Sequence, residues 1–441
     1  MGATPVSAFA AVMAYAFGTI AWINAMLFGG HQIAANFAFF SFAGVWSLSR
    51  QPNRGRLAAW FGAGLLAGLA ALADYTAMYL AAVLTGYAVK KAQSTNRTLA
   101  FVGGGLVTAL ALAVYNAKCF GNPWSLSYAH LGYEEFAAGA EHGVLGISMP
   151  DPSVLLALLF SCARGLLFIM PVLCLSLAGF RAWIAGTGEV RNPWRIEGVT
   201  VVFVVIGYLL MNAGFYGWHG GWAFGPRYLV PALPFLILPM AFAIDWMWYS
   251  VLLLISALQV ACAAIGVPHT PQDFRNPIVE CILPLIRDGY VAVNAGNLLG
   301  FEGLLSIVPW LAVTVATIWW IRPAVSVARA HASTTSITTR RKRPGEKGSR
   351  ARADDSRREG PGAAPGRAWK VVYAAAAVGV VLGFILVRTP QIVDQHFFRF
   401  RLLLDAGSVL SSESLRQAAI REYRLSPAAY KPVIPSSLKA R

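Results

Sequence analysis

Four glycines, a histidine, an arginine and two tryptophans are collected in GWHGGWAFGPRYLVPALPF, residues 217–235, between two long apolar runs. Glycine lets backbone turn sharply and approach a ligand closely, and Pro226 suits the first position of a helix. Arg227 then falls in the first turn of that helix, where backbone N–H groups and the helix dipole already favour an anion. A guanidinium added there makes a phosphate site. The alternative is an interfacial arginine whose head reaches lipid headgroups. Trp218, Trp222 and Tyr228 suit the belt where water meets an apolar phase, and Trp218 and His219 add shape and stacking surface.

Other ionisable residues stand at the ends of apolar runs. His31 opens one after LFGG, Asp74 divides LADYTAMYL, and Arg164 precedes LLFIMPVL. Charged groups are costly at such boundaries, which makes them candidates for function. Two readings stay open for Asp74, a chemical role or a structural one in which it caps a helix or pairs with an arginine. His31 reads equally as a ligand contact or as an interfacial hydrogen-bonder. Glu134 and Glu135 are further loop carboxylates that could take a proton, although loop acids are usually only solvated. His130 and Glu134 are four residues apart and Glu141 adjoins His142, but no DxD or compact ligand set occurs. No metal site is assigned and no cofactor predicted; a divalent metal stays open.

The elements that must position these residues follow from composition. The chain is 57% hydrophobic and 13% charged, with a mean hydropathy of +0.56, outside the range of soluble domains. Its apolar runs are continuous rather than alternating, which predicts an all-α, polytopic transmembrane bundle. Eleven segments are expected: Val6 to Phe28, His31 to Ser49, Leu57 to Ala73, Tyr75 to Val89, Thr98 to Asn116, Gly165 to Phe180, Val199 to Phe215, Leu229 to Ile244, Val251 to Val267, Leu304 to Ile321 and Trp369 to Val387. The pair flanking Asp74 is short for two crossings, so a hairpin dipping into the membrane is the alternative there.

Positive charge marks cytoplasmic loops. Arg50 to Arg56, Lys90 to Arg97, Arg181 to Gly198 and Arg322 to Arg367 carry +3, +3, +1 and +8, together nearly the whole net charge of +16. On the other side Ala117 to Arg164 is −2, Tyr216 to Tyr228 is +1 and Pro268 to Glu302 is −2. The basic balance therefore reflects topology and not nucleic-acid binding. The expected organisation is a transmembrane core over 1–321, a basic disordered linker over 322–368, a final transmembrane helix over 369–387 and an extracytoplasmic tail over 388–441. Of five cysteines, Cys119 and Cys281 fall in outer loops, where one disulfide could form. The N-terminus lacks a basic n-region and reads as a membrane helix from the start.

Read in order, YAFGTIAWINAMLFGGHQIAANFAFFSF, LADYTAMYL, FGNPWSLSYAHLGYEEF, LFSCARGLLFIMPVL, GWHGGWAFGPRYLVPALPF and NPIVECILPLI resemble the bacterial integral-membrane glycosyltransferases of the GT-C superfamily. The likeness covers most of Tyr15 to Trp320 and is most specific at Gly225 to Tyr228. It implies a polyprenyl-phosphate sugar donor bound from the membrane, with transfer to an envelope glycan, lipid or protein acceptor on the extracytoplasmic face of a bacterial inner membrane. On that reading Arg227 and Arg164 clamp the donor phosphate. His31, Tyr75, Trp218, His219 and Tyr228 contact substrate, and Asp74, Glu134 or Glu135 serves as general base.

In such enzymes the catalytic acid usually lies in the first large outer loop, and the first matched motif here belongs inside the family's pattern. The expectation is a chain that lacks the family's N-terminal helix and first outer loop, and that transfers sugar poorly by itself. No P-loop, GxSxG or dinucleotide fingerprint occurs, which argues against a nucleotide-sugar donor held in a cytoplasmic domain. Two other classes compete: a transporter or flippase for a lipid-linked saccharide, for which charged residues in the inner half would be evidence beyond Asp245, and a catalytically inactive membrane partner or fragment.

Overall fold

In a computed structural model, the described residues are 3–185, 195–316 and 367–386, apart from 28, 52–54, 131, 133, 271, 273, 288–290, 293, 302, 310, 314 and 315. They are mostly helical, with no β-strand among them. The longer helices are α1 (Pro5–Gly18), α2 (Gly30–Arg50), α3 (Leu57–Ala73), α4 (Ala77–Ala92), α5 (Thr95–Phe120), α6 (Pro152–Phe160), α7 (Cys174–Ala185), α8 (Arg195–Ala213), α9 (Trp246–Ile265) and α10 (Arg367–Leu386). Three of them, α5, α8 and α9, are long and apolar enough to cross a membrane. The segment expected to start at Leu304 opens as a short 3-10 helix, Gly303–Ile307, and its end lies outside the described residues. The linker at 322–366 and the tail at 388–441 also lie outside them.

The chain divides into two compact units, Met1–Pro284 with Glu359–Phe397, and Leu285–Arg358 with Phe398–Arg441. In the second, Asn294 and Asn297 form a capping box at the helix Ala295–Leu298, and the Asn294 amide donates to Ser306 Oγ at 2.8 Å.

In the first unit, glycines let helices close in. A Cβ on Gly64 would collide with the Phe101 carbonyl, and one on Gly104 with the Phe61 carbonyl, so α3 and α5 pack backbone to backbone. Thr108 fills the space over Gly68 and returns its hydroxyl to the Gly105 carbonyl at 2.7 Å. Beside this contact, α3, α4 and α5 line a half-open apolar pocket of about 350 Å³ bounded by Gly64, Gly68, Leu72, Met78, Phe101 and Leu112 among others.

Several apolar runs are broken helices. The run from Val6 stops at Gly18 because Thr19 is extended, its hydroxyl donating to the Tyr15 carbonyl at 2.6 Å and accepting the Ala21 N–H at 3.2 Å. The run from Gly165 breaks at Met170–Pro171, and the run from Leu229 becomes alternating 3-10 and α turns around Pro231, Pro234 and Pro239. Groups freed by these breaks find partners on α9: the Val172 N–H donates to Ser256 Oγ at 3.1 Å, and Gln259 donates to the Phe168 carbonyl at 3.0 Å.

At the end of the unit where α4 stops and α8 starts, Lys91 pairs with the fully buried Glu197 at 2.5 Å and Tyr87 donates to the same carboxylate at 3.2 Å. Asp245 caps α9 and meets Lys370 of α10 at 3.6 Å. All five cysteines are free thiols, Cys119 exposed and Cys281 buried.

Candidate functional site

The opposite ends of α2, α3 and α8 carry the other polar cluster. A Cβ on Gly30 would collide with the Ala73 carbonyl oxygen, so this glycine lets the start of α2 press onto the end of α3. That approach delivers His31 to Asp74, the residue closing α3, with His31 Nδ1 2.5 Å from Asp74 Oδ2. Asp74 Oδ1 accepts the Thr76 N–H at 3.0 Å and the Thr76 hydroxyl at 2.9 Å. Burial opposes the Asp74 charge, but the His31 hydrogen bond and charge, helped by Thr76, hold its carboxyl below the usual carboxylate value.

Tyr228 joins this pair to the glycine turn. Its ring meets His31 edge-on, with centroids 5.3 Å apart. The Arg227 guanidinium lies 5.0 Å from the Tyr228 ring centroid and donates Nη2–H to the Tyr228 hydroxyl at 3.2 Å. Arg227 Nε is buried without a hydrogen-bond partner. Arg227 starts a six-residue 3-10 helix instead of the α-helix expected from sequence, since the prolines that follow prevent a regular ladder. The anion-attracting element is therefore the guanidinium, not a helix dipole.

Around it the backbone turns through left-handed conformations at Gly220 (φ 75°), Gly221 (φ 61°) and Gly225 (φ 75°). A Cβ at Gly225 would stand 3.0 Å from Ile20 and 3.4 Å from Ile169, both at broken helices. Arg164, 2% exposed, holds the turn: Nε donates to the His219 carbonyl at 2.7 Å, Nη2 to that of Gly221 at 3.0 Å and Nη1 to that of Ala163 at 3.2 Å. Burial, and then the neighbouring Arg227 charge, push Arg164 down to about 10. His219 accepts the Gly221 N–H on Nδ1 at 3.0 Å, and Trp218 lies edge-on to it, with centroids 6.0 Å apart.

Tyr75 and Tyr128 face each other with centroids 5.8 Å apart. Burial pushes the Tyr128 phenol up to about 12, assisted by the Asp74 charge and by Tyr228, Tyr216 and Tyr75. Glu134 and Glu135 open the helix Glu134–Glu141, but their side chains lie outside the described residues. His130 stacks on Phe120 at 4.3 Å and bonds Ser125 Oγ at 2.7 Å. Among the described residues no group of three or more His, Cys, Asp or Glu side chains is placed to hold a metal ion.

The structure thus gathers His31, Asp74, Arg227 and Tyr228 into one chain of contacts, with Tyr75 next to Asp74 in sequence but turned to Tyr128, and Arg164 as the brace of the turn. Two neighbours of the cluster are not singled out by the sequence. Tyr128 arrives from the 3-10 turn Ser127–His130. Tyr208 of α8 lies within electrostatic reach of Asp74. Asn212, one turn further along α8, is buried and neither atom of its side-chain amide finds a partner. A lone Asn in an apolar run was the available signal for that residue.

Fold and site define a helical protein with three membrane-length apolar helices and, at one end of its larger unit, an arginine and a histidine–aspartate pair that both meet one tyrosine. Comparison with known protein families, with curated proteins and with solved structures gave no significant match.

Proposed function

We propose that this chain is a bacterial inner-membrane glycosyltransferase. It would move a sugar from a polyprenyl-phosphate donor to a hydroxyl of an envelope glycan, lipid or protein on the extracytoplasmic face. The observation that carries the reading is Arg227: a guanidinium with a buried, unsatisfied Nε, set beside a tight glycine turn and one aromatic ring from a histidine–aspartate pair. A buried charged donor without a partner is costly unless a ligand completes it. A phosphate completes a guanidinium well, and a leaving phosphate gains charge as its bond to sugar breaks.

The proposal includes eleven membrane segments oriented by their basic loops, which puts this cluster outside. The broken helices fit that topology as runs built from shorter pieces. The pocket between α3, α4 and α5 supplies apolar surface for a lipid tail, and its lining residues Leu72 and Met78 flank the Asp74 turn.

The test is equilibrium binding of labelled decaprenyl monophosphate to the purified chain in nanodiscs. A charge-assisted contact is worth roughly 1.5–3 kcal/mol, so Arg227→Ala should weaken binding by about 10- to 150-fold. Equal affinity in both proteins would sink the reading.

A flippase for a lipid-linked saccharide is the second reading, favoured by the helix breaks at Thr19 and Met170, which meet where the Ile20 N–H approaches Met170 Sδ at 3.3 Å. The two readings part on fate: a flippase moves its saccharide intact, and a transferase separates sugar from phosphate.

A further inference from the structure

A transferase working on a hydroxyl needs a proton acceptor, and Asp74 is a poor one as it stands. Oδ2 is engaged by His31, Oδ1 takes two hydrogen bonds from Thr76, and the side chain is only 7% exposed. Only one lone pair of Oδ2 is left, on a side chain too buried to present it readily to an incoming hydroxyl. His31 is placed the opposite way. Nε2 makes no hydrogen bond among the described residues, and whenever the ring is neutral with Nδ1–H turned to the carboxylate, its lone pair is on Nε2. The imidazole is 19% exposed and its ring abuts Tyr228, whose hydroxyl receives Arg227.

We infer that His31 Nε2 is the general base for the transfer and that Asp74 is its positioning residue. The inference rests on the glycosyltransferase reading. The acceptor O–H gives its proton to Nε2 while its oxygen forms a bond to the anomeric carbon. The bond from that carbon to the phosphate oxygen breaks, and its electron pair leaves with the polyprenyl phosphate, whose added negative charge faces Arg227. The Asp74 carboxylate stabilises the imidazolium until its proton passes to water. Gly30 is part of the device, because a side chain there would push α2 away from Ala73 and separate the pair. The competing account is a plain tie between α2 and α3.

The test uses the full chain in nanodiscs, decaprenyl monophosphate as binding probe, and decaprenyl-phosphate sugars with water as acceptor, read as free sugar released. In His31→Ala, kcat should fall about 100-fold or more, with decaprenyl-phosphate affinity within about twofold of wild type, and added imidazole should restore part of the rate. Asp74→Asn should lower kcat at similar donor KM. If His31→Ala does not fold, His31→Gln keeps the size and a donor toward Asp74, and takes the same expectation without rescue. Retention of kcat within about threefold in the folded variant would overturn the base. So would loss that tracks donor binding and ignores imidazole, or a wild type that binds the probe and releases no sugar. A wild type that fails to bind decaprenyl phosphate would overturn the transferase reading itself, and the base with it.

Discussion

A Cβ on Gly220 would stand 3.1 Å from Cγ and 3.2 Å from Nε of Arg227, so the glycine turn packs directly on the stem of the arginine. Gly221 also has a left-handed backbone but open space where its Cβ would be. The two glycines therefore separate backbone strain from contact. An alanine in the left-handed region costs about 1–2 kcal/mol wherever it is put. Gly220→Ala should in addition move Arg227 and weaken decaprenyl-phosphate binding about tenfold, whereas Gly221→Ala should lower thermal stability with binding nearly intact. Equal binding by both variants would show that the position of the Arg227 stem does not matter to the ligand.

Arg164 and Arg227 are predicted to fail in different ways. Arg164 spends its guanidinium on three carbonyls, two of them in the turn, and removing it takes that donor from the part-buried carbonyls of His219 and Gly221. Arg164→Met should cost at least about 3 kcal/mol of stability. Arg164→Lys should recover only part, because a lysine cannot reach both turn carbonyls as a fork. Arg227→Ala removes a group with an unsatisfied Nε and should leave the melting temperature almost unchanged while abolishing the phosphate contact. Thermal unfolding in detergent beside binding in nanodiscs reads the two roles; a large stability loss in Arg227→Ala would make that residue structural.

Apolar continuity made the helical class and several helix ends legible. The run Leu57 to Ala73 is α3 residue for residue. What it could not convey is where a run is interrupted. Pro171, Pro231, Pro234 and Pro239 were visible in the sequence, but whether a proline kinks a helix or unwinds it depends on partners such as Ser256 and Gln259, which lie far along the chain. The break at Thr19 depends on a side chain bonding its own backbone. In the site, residue types at segment ends singled out His31, Asp74 and Arg227. Their pairing was hidden, because it is set by the close approach of Gly30 to Ala73, a tertiary contact. Arg164 reads in sequence as a clamp like Arg227; only the carbonyls around it reveal the brace.

The α3–α5 contact gives a prediction independent of function. Gly104 faces the Phe61 carbonyl and the Leu65 N–H, so any side chain there must drive the helices apart, while a Cβ on Gly103 would meet only the edge of the Phe61 ring at 3.8 Å. Gly104→Leu should destabilise the protein by about 2–3 kcal/mol or prevent its accumulation, and Gly103→Leu should be tolerated. Comparable melting temperatures for the two variants would contradict the backbone-to-backbone packing.

Orientation can be read from thiols. On the proposed topology the net positive charge of the Arg322 to Arg367 stretch keeps it in the cytoplasm by the positive-inside rule, and Cys119, exposed at the end of α5, is predicted to face outside. Cys281 is fully buried, so the same topology predicts no reaction there until the protein is unfolded. In intact cells an impermeant maleimide should label Cys119 in a chain whose other cysteines are replaced by serine or alanine. It should fail to label Gly348→Cys in the same background without Cys119 until the membrane is opened. The proposed topology puts the two positions on opposite membrane faces, so they must respond in opposite ways. Labelling of Gly348→Cys from outside would invert the bundle and carry Arg227, His31 and Asp74 to the cytoplasmic face, where transfer onto an envelope acceptor could not take place.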